Sequence, residues 1–486
     1  MVGPVAEVAM RAEQRIPSPE GSGGGEAGMA RTFHLLDLSS LSISSVGPLF
    51  SIAATGGVMA AASGYYTVLA IVLISVPFII SAFVFRLLNR HFPHAGASYH
   101  WAGRILGRRA SRFQACVLLV AYFASIPPII IPAATYTKAL LLPHWQAPPV
   151  GMLGLSAFWV AFALIPLLAG GRPTARITQA FLALEAVAIL VIIGVAIARW
   201  PALHVAIHPG PLPIGGLFAS AIIASTILDG WEIDSYAAEE SRRPRADPGT
   251  AGIIGAVVAL VVYLVIFPLL LGETPMHLLA HSSDPMSVWG TRLLPQAPWL
   301  VLIPVLASTA GGLWLTSFIL TRALFAMSRD GLLPQVFSRL SRRHVPAPAI
   351  LIALGAALLV TAGETMYSSL AGFFGLVLAS AGFFLTAEFF LDSVTASVFL
   401  TRRHRREWGD HLSSHEHRAL QIASTVASVL LLGFLVGFVI VAPRLVGVGV
   451  DAVIAVVIGI ALVFALARGG SQPLFVFQPD LDGPAR

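Results

Sequence analysis

Long apolar runs separated by short polar loops dominate the chain after residue 35. Most of these runs reach the roughly 18 residues that are typical of a helix crossing a hydrocarbon core about 30 Å thick. The pattern predicts an all-α polytopic membrane protein with about 12 transmembrane helices. The predicted spans are 37–62, 66–88, 112–142, 151–170, 176–198, 215–238, 250–271, 298–328, 347–363, 367–400, 418–442 and 447–468.

Composition agrees with this pattern. Of the 486 residues, 56% are hydrophobic and only 11% are charged, whereas soluble proteins carry about 25% charged residues. The net charge of +6 comes from arginines in loops between apolar runs, a placement typical of membrane orientation and not of nucleic-acid binding. The single cysteine, Cys116, excludes an internal disulfide framework and a cysteine-rich metal site.

The arginines also predict an orientation. An even number of spans places both termini on one side, and if that side is the cytoplasm, all but four of the 30 Lys and Arg residues lie inside. Residues 1–34 lack a sustained apolar segment and are predicted to be a disordered cytoplasmic tail, with a second cytoplasmic tail at 469–486. The four outside residues are Lys138, Arg199, Arg292 and Arg444.

The first span contains a predicted helix break. Proline disfavours helix in the residue before it and suits the first position of a new helix. We therefore expect one half-helix to end near Ser45 and another to start at Pro48. Unpaired backbone groups between them would face inward. The break comprises Ser44, Ser45, Val46, Gly47 and Pro48.

The sixth span breaks at a corresponding depth, around Leu228, Asp229 and Gly230. Interrupted helices at matching positions of two halves indicate an inverted-repeat transporter with its site at the membrane midplane. The alternative is that each glycine only allows close helix packing. The predicted units are a first repeat at 35–200, a second at 215–402, and two further helices at 415–468.

Three motifs resemble the amino acid–polyamine–organocation (APC) transporter superfamily. Gly230-Trp231-Glu232 followed by AEESRRP (238–244) resembles its sixth-helix signature and the loop after it. PHAGASYHWAG (93–103) resembles its first cytoplasmic loop, and RALFAMSRDGLLP (322–334) resembles the end of its eighth helix. The resemblance implies a LeuT-like fold of five-plus-five inverted helices with discontinuous helices 1 and 6, and secondary transport by alternating access.

The same resemblance implies roles for the two breaks. The first break would cradle the substrate's carboxylate and amine, and Leu228, Asp229 and Gly230 would form the opposite wall. Trp231 would be an aromatic lid or wall, and Glu232 would belong to a gating or proton-linked network. The chain departs from the family where many relatives carry a lysine in the fifth helix, because the aligned residue here is Glu185.

The remaining intramembrane acids leave alternatives open. Asp229 would pair with a substrate ammonium or accept structural hydrogen bonds, and Glu185 would carry a coupling proton or be a neutral packing residue. Glu388 and Asp392 are four residues apart and share a helix face. They would resist double ionisation and bind a proton, or they would meet an arginine.

Three further predictions concern hydroxyls and loops. Ser308, Thr309, Ser317 and Thr321 would help form a sodium site, or would bond to their own helix. Residues 91–112 are expected to contain a short interfacial helix. Residues 331–344 have apolar residues at helical spacing and predict an amphipathic helix on the membrane surface.

We expect a secondary active transporter of amino acids that is coupled to H⁺, with no cofactor and no nucleic-acid partner. A polyamine or other organic-amine transporter or exchanger of the same fold is the alternative. An enzyme is disfavoured because no cluster of nucleophile or metal ligands appears. A channel is disfavoured because paired half-helices suit occlusion of one solute. The near absence of lysine indicates a GC-rich bacterial genome and hence the cytoplasmic membrane, with lipid as the surrounding medium.

Overall fold

The computed structural model describes residues 29–282, 284–363, 370–401, 412–445 and 448–467, and this part of the chain is helical. The first half contains α1 Leu35–Val46, α2 Pro48–Ser63, α3 Thr67–His91, α4 Ala97–Ile105, α5 Arg108–Ser125, α6 Pro127–Leu141, α7 Pro149–Ala169 and α8 Gly171–Leu203. The second half contains α9 Ile214–Ile227, α10 Ile233–Tyr236, α11 Asp247–Glu273, α12 Met276–Ala280, α13 Pro285–Leu293, α14 Trp299–Arg329, α15 Ala347–Ala362 and α16 Leu370–Phe399. Two further helices follow, α17 Ser414–Leu445 and α18 Val448–Leu466.

Nine stretches within the described ranges are long and apolar enough to cross a membrane. The first of them, Leu35–His91, contains the first two predicted spans. The predicted sixth and ninth spans correspond to the shorter apolar helices Ile214–Ile227 and Ala347–Ala362. Leucine, isoleucine and valine side chains remain exposed along many of these helices, as expected of surfaces that face lipid.

The first helix breaks where the sequence predicts. Helix α1 ends at Val46, and α2 begins at Pro48. Gly47 joins them with φ +53°, a left-handed conformation that glycine adopts without a Cβ penalty. Proline at the first position of α2 costs no hydrogen bond because that N–H has no intrahelical partner anyway.

The second break lies against the first. Helix α9 ends at Ile227, and the chain resumes helix only in the single turn α10. Gly230 has φ +109° between them. A Cβ on Gly230 would lie 2.8–2.9 Å from the backbone carbonyl group of Ser45 and the nitrogen of Val46. The two interruptions therefore touch through their backbones, and only glycine permits this approach.

The arginine-rich end of the bundle is defined by the chain segments 86–112, 242–245 and 322–343. Helix α4 lies in the first of these and is not interfacial, since Ser98, Tyr99, His100 and Trp101 are at most 3% exposed. The predicted surface helix at 331–344 is wrong. A 3-10 turn at Gln335–Ser338 replaces it, and Leu332, Leu333 and Leu340 of this irregular segment pack against the core.

Residues 29–34 also differ from the predicted tail. Phe33 is fully buried, and its neighbour Thr32 donates its N–H to the Glu240 carbonyl at 2.8 Å. Arg242 returns a hydrogen bond to the Phe33 carbonyl at 3.0 Å. This segment is thus anchored to the chain that follows the second break. The rest of the predicted tail, 1–28, and the tail at 469–486 lie outside the described residues.

We predict that Gly230→Ala destabilises the protein. The added methyl group would collide with the Ser45 backbone and would hold alanine at an unfavourable φ, which costs about 1–3 kcal/mol. The apparent Tm of the purified protein in detergent should fall by several degrees. Gly194→Ala is the control, because a Cβ at Gly194 meets nothing within 4 Å, and since alanine favours helix it should not lower the Tm. Equal Tm values for the two variants would contradict the close approach.

Candidate functional site

A small cavity lies between the two breaks. Ser45 and Val46 line it from the first break, and Thr226, Ile227 and Asp229 from the second. The other lining residues come from α2, α5, α6, α14 and α16: Phe50, Ser51, Ala54, Thr55, Ser125, Pro128, Ile129, Thr316, Leu378 and Ala381. Its volume of about 40 Å³ is room for one or two water molecules. A larger solute enters only if the walls move.

The electrostatics of this cavity favour a cation. The C-terminal ends of both α1 and α9 point into it, and a helix C-terminus carries a partial negative charge. Asp229 adds a carboxyl group that is only 8% exposed. Its Oδ1 atom is buried without a hydrogen-bond partner among the described residues. An unpartnered buried carboxylate oxygen is costly, and a bound ammonium group would satisfy it.

The N-terminal end of α2 is the positive end of a half-helix, and its donors already have protein partners. The Leu49 N–H donates to Glu185 Oε1 at 3.0 Å, and the Phe50 N–H donates to Ser308 Oγ at 3.0 Å. The Ser51 N–H returns to the Gly47 carbonyl at 2.8 Å. Glu185, from α8, is thus a capping carboxylate at the place where the first break was predicted to bind a substrate carboxylate.

Glu232 provides hydrogen-bond acceptors for the backbone of the second break. Both of its carboxyl oxygens accept from the Gly230 N–H, at 3.1 and 2.9 Å. The Tyr122 hydroxyl donates to Glu232 Oε1 at 3.0 Å. The Gly230 N–H has no helical carbonyl partner, and the Glu232 carboxyl group accepts its hydrogen bond instead. Through Tyr122, Glu232 also links the break to α5.

Glu388 and Asp392 lie further towards the arginine-rich end. Two and three turns separate them from Ala381, which lines the cavity, so at 1.5 Å per residue they are about 10 and 16 Å along the helix from it. Their partners are hydroxyl groups, Ser98 for both carboxyls and Tyr236 for Glu388. These contacts replace the arginine that one interpretation of the sequence anticipated.

Trp231 does not line the cavity. It is 1% exposed and stacks on Phe389 at a centroid distance of 5.4 Å, while Phe85 meets its ring edge-on at 5.2 Å. Its carbonyl accepts from Ser42 Oγ at 3.0 Å. The predicted aromatic lid is therefore a packing residue in this conformation, because the turn after Gly230 directs its ring towards α3 and α16.

The hydroxyls of α14 behave mostly as the structural alternative predicted. Thr309 and Ser317 each donate to the carbonyl four residues earlier, at 2.7 Å, and Thr321 donates to Phe318 at 3.1 Å. Ser308 alone reaches the first break. Residues that the sequence interpretation missed are Ser98, Tyr122 and Tyr236. Ser98 lies inside the first-loop motif, which was the one available signal.

A cluster of charged residues closes the arginine-rich end. Arg329 forms a bidentate pair with Glu239, at 2.7 and 2.6 Å, and its Nη2 is 2.7 Å from His94 Nε2. The Tyr99 hydroxyl donates to Asp330 Oδ2 at 2.8 Å. These contacts join α4, the turn after α10 and the end of α14. We call this group of five residues the gate cluster.

Titration in the gate cluster follows from burial and Arg329. Burial, followed by the Arg329 guanidinium, lowers the pKa of His94 well below its ordinary value, so His94 is neutral. Burial raises the pKa of Asp330 to about 7, although Arg329 opposes this. Burial also acts to raise the pKa of Glu239, but Arg329 outweighs it and the pKa lies below its ordinary value. Glu239 is therefore ionised at neutral pH.

A second buried pair reinforces this closure. Arg322 Nε donates to Glu240 Oε1 at 2.9 Å, and both side chains are almost fully buried. The Arg322 guanidinium also lies 3.5 Å from the centroid of the Phe318 ring. The anchored segment that contains Phe33 covers the same turn. The path from the cavity to the arginine-rich end is thus blocked by several layers of side chains.

The opposite end of the molecule contains a vestibule. A cavity of about 530 Å³ is lined by Gly57, Ile131, His281 and Phe374, among others, and it shares Ala54 with the small central cavity. His281 is exposed. The two ends of the bundle therefore differ: one is closed by ion pairs, and the other leads almost to the breaks.

Comparisons with known proteins agree with this geometry. A family model described as amino acid permease matches residues 33–464. The branched-chain amino acid permease BcaP of Bacillus subtilis (strain 168) is 25% identical over 345 residues, 66% of this chain and 72% of that protein. The large neutral amino acids transporter small subunit 2 of Homo sapiens is 25% identical over 366 residues, 72% of this chain and 68% of that protein.

More distant matches extend this picture. The cationic amino acid transporter 2, vacuolar, of Arabidopsis thaliana is 23% identical over 288 residues, 56% of this chain and 45% of that protein. The solved structure of the Eremococcus coleocola manganese transporter superposes with a TM-score of 0.53 at 14% identity, covering 90% of this chain and 98% of that one. This likeness confirms the predicted fold class, and the relatives are transporters and not enzymes.

We predict that Arg329→Gln opens the arginine-rich end. Removing the guanidinium leaves Glu239 as an unpaired buried charge, which costs about 3–5 kcal/mol. In a Cys116→Ser background, a cysteine replacing the fully buried Ala95 should then react at least tenfold faster with a polar maleimide in proteoliposomes. The control is Arg339→Gln, which changes an exposed arginine directly after the 3-10 turn Gln335–Ser338 and outside the gate cluster. It should leave the labelling rate unchanged. Unchanged labelling in Arg329→Gln would show that the pair does not close this end.

Proposed function

The chain belongs to the amino acid permease family, and we propose that it is a proton-coupled secondary transporter that moves amino acids by alternating access. The observation that carries the proposal is the cavity between the two breaks, where two helix C-termini and the unpartnered Oδ1 atom of Asp229 converge. These groups suit the ammonium group of an amino acid. The apolar walls from Ile129 and Leu378 suit a side chain.

The asymmetry of the bundle supports alternating access. The structure has the arrangement expected of a state that is closed at the gate cluster and approached from the opposite vestibule. The central cavity is too small for an amino acid, so binding requires the breaks to separate. We infer from the distribution of arginine that the closed end faces the cytoplasm and that the membrane is the cytoplasmic one.

Glu185 has a defined part in this proposal. A substrate carboxylate would take the Leu49 N–H only by displacing the Glu185 carboxylate. The same observation supports the second candidate, a carrier of amines that lack a carboxylate, since such a substrate would use Asp229 and leave Glu185 in place. The relatives include carriers of large neutral and of cationic amino acids, and since both kinds of substrate have a carboxylate, these relatives favour the first candidate.

Uptake into proteoliposomes tests the function. Labelled leucine, lysine, glutamate, isoamylamine and putrescine would be offered with and without an inward proton gradient. A proton-coupled amino acid transporter should accumulate at least one amino acid several-fold above equilibrium only when the gradient is present. Preferential uptake of the amines would favour the second candidate, and no uptake or exchange of any compound would overturn both.

We predict that Asp229→Asn raises the KM for every transported substrate. A charge-assisted hydrogen bond to ammonium contributes about 1.5–3 kcal/mol, which corresponds to roughly a 10- to 100-fold change in KM. Initial uptake rates over a substrate series provide the measurement. Asp284→Asn makes the same chemical change outside the cavity, where Asp284 caps α13 by accepting from the Ser287 N–H at 2.9 Å. It should keep the wild-type KM.

We predict that Glu185→Gln lowers the KM for amino acids and leaves the KM for amines unchanged. A glutamine amide still accepts from the Leu49 N–H, but it is a weaker acceptor than a carboxylate and no longer repels the substrate carboxylate. The paired substrates leucine and isoamylamine differ only in that carboxylate. Equal KM changes for both compounds would show that the substrate carboxylate does not replace Glu185.

A further inference from the structure

Ser98 bridges two buried carboxyl groups. Its Oγ atom lies 2.8 Å from Glu388 Oε1 and 2.7 Å from Asp392 Oδ2. The Tyr236 hydroxyl lies 2.6 Å from the same Glu388 oxygen. Ser98, Glu388 and Asp392 are fully buried. We call Glu388 and Asp392 the bridged pair.

Counting hydrogens shows that the bridged pair contains a carboxyl proton. The three oxygen–oxygen contacts of 2.8 Å or less need three hydrogens, and the hydroxyls of Ser98 and Tyr236, which lie 3.3 Å from each other, supply two. The third must come from Glu388 or Asp392. If both were ionised, one contact would set a carboxylate against a serine lone pair, and two like charges would be buried beside each other.

The carboxyl oxygens that do not contact Ser98 also indicate that the pair holds a proton. Glu388 Oε2 and Asp392 Oδ1 are buried and have no hydrogen-bond partner among the described residues. A buried ionised carboxylate needs several donors or a cation, so two ionised groups with an unpartnered oxygen each would be strongly unfavourable. A pair that shares one proton carries a single negative charge.

The surroundings of the pair contain further acids and hydroxyls. The titratable groups that face it are Tyr122 on α5, and Glu232 and Tyr236 on the second broken segment. The Tyr122 hydroxyl donates to Glu232, and the Tyr122 ring meets the Tyr236 ring edge-on at 5.5 Å. Helices α3, α9 and α17 contact α16 through Phe78, Ser225 and Phe438. Hydroxyls and acids thus extend from the cavity, at Asp229, to the bridged pair.

Ser98 connects the pair to the gate cluster. It is adjacent on α4 to Tyr99, which donates to Asp330, and α4 begins two residues after Ala95, whose N–H donates to Glu239 Oε1 at 3.0 Å. Movement of α4 that opens the arginine-rich end would therefore withdraw the serine. The two carboxyls would then meet water, where the proton is free to leave.

We propose that Glu388 and Asp392, bridged by Ser98, form a binding site for one transported proton, which is held while the arginine-rich end is closed and released to that side when α4 moves. The inference rests on the proposed function, and it assigns the coupling proton to the bridged pair and not to the breaks. The step is an acid dissociation: one carboxyl O–H bond breaks, water takes the proton, and the pair gains one negative charge.

The test compares two assays on the same proteoliposomes. One measures accumulation driven by a proton gradient, and the other measures exchange at equal pH, which requires no net proton release. Glu388→Gln and Asp392→Asn supply an amide hydrogen to Ser98 and cannot release it. Each should reduce gradient-driven accumulation at least tenfold, flatten its pH dependence and keep exchange within about threefold of wild type. Ser98→Thr should preserve accumulation, whereas Ser98→Ala should reduce it.

Two controls separate this role from packing. Glu273→Gln changes a buried carboxyl at the opposite end, where Glu273 accepts from Trp289 Nε1 at 2.7 Å. Ser393→Ala removes a buried hydroxyl from the same helix as the pair. Both should keep accumulation and exchange. If a pair variant loses exchange as well, the Ser98 variants decide, since they retain both carboxyls.

The outcomes also separate this inference from the proposed function. If the wild type accumulates substrate with a gradient and both pair variants do so equally, the inference is overturned and the proposed function stands. Loss of accumulation in Glu185→Gln or Glu232→Gln, with normal accumulation in the pair variants, places the proton at the breaks and also overturns it. A wild type that ignores the gradient overturns the coupling proposal together with the site.

Discussion

A backbone group that loses its helical partner inside a membrane must find another one, because hydrocarbon offers none and each unpaired group costs several kcal/mol. Both helix breaks meet this requirement with side chains, some from the broken segments themselves and some from other helices. Glu185 and Ser308 accept from the first turn of α2, Ser51 Oγ donates to the Val46 carbonyl at 2.7 Å, and Glu232 accepts from Gly230. The breaks therefore exist only as part of the assembled bundle, which fixes their position relative to α8, α14 and α5.

This requirement also explains why the two breaks are useful together. The Glu185 carboxyl group accepts from the N-terminal end of α2, so that end already has an acceptor. The C-terminal ends of α1 and α9 are left facing the cavity. Asp229 then adds a carboxyl to two partial negative charges. A cationic group completes this arrangement better than any neutral side chain would, because it satisfies the orphan oxygen and both helix ends at once.

The sequence predicted most of this architecture, and the exceptions have physical reasons. Gly47–Pro48 and Asp229–Gly230 stand out because proline and glycine act on the local backbone, so their effects are visible without a partner. The contact of Gly230 with Ser45, and the capping of Leu49 by Glu185, join residues far apart in the chain, and no local pattern encodes them. Residues 331–344 have helical spacing, yet Gly331, at φ +75°, and Pro334 divide the segment, and packing against α14 and α15 replaced the expected surface helix. The direction of the Trp231 ring likewise depends on an irregular turn.

The buried acids fall into two groups, which differ in their hydrogen-bond partners. At the arginine-rich end the acids Glu239 and Glu240 have guanidinium partners, Arg329 and Arg322, and these buried ion pairs hold the end closed. Deeper in the bundle, Glu388 and Asp392 have hydroxyl partners, which share hydrogens without fixing a charge. Ser98 and Tyr99 are consecutive on α4, and they contact the two regions separately. We therefore expect a movement of this one short helix to act on the ion pairs and on the bridged pair together.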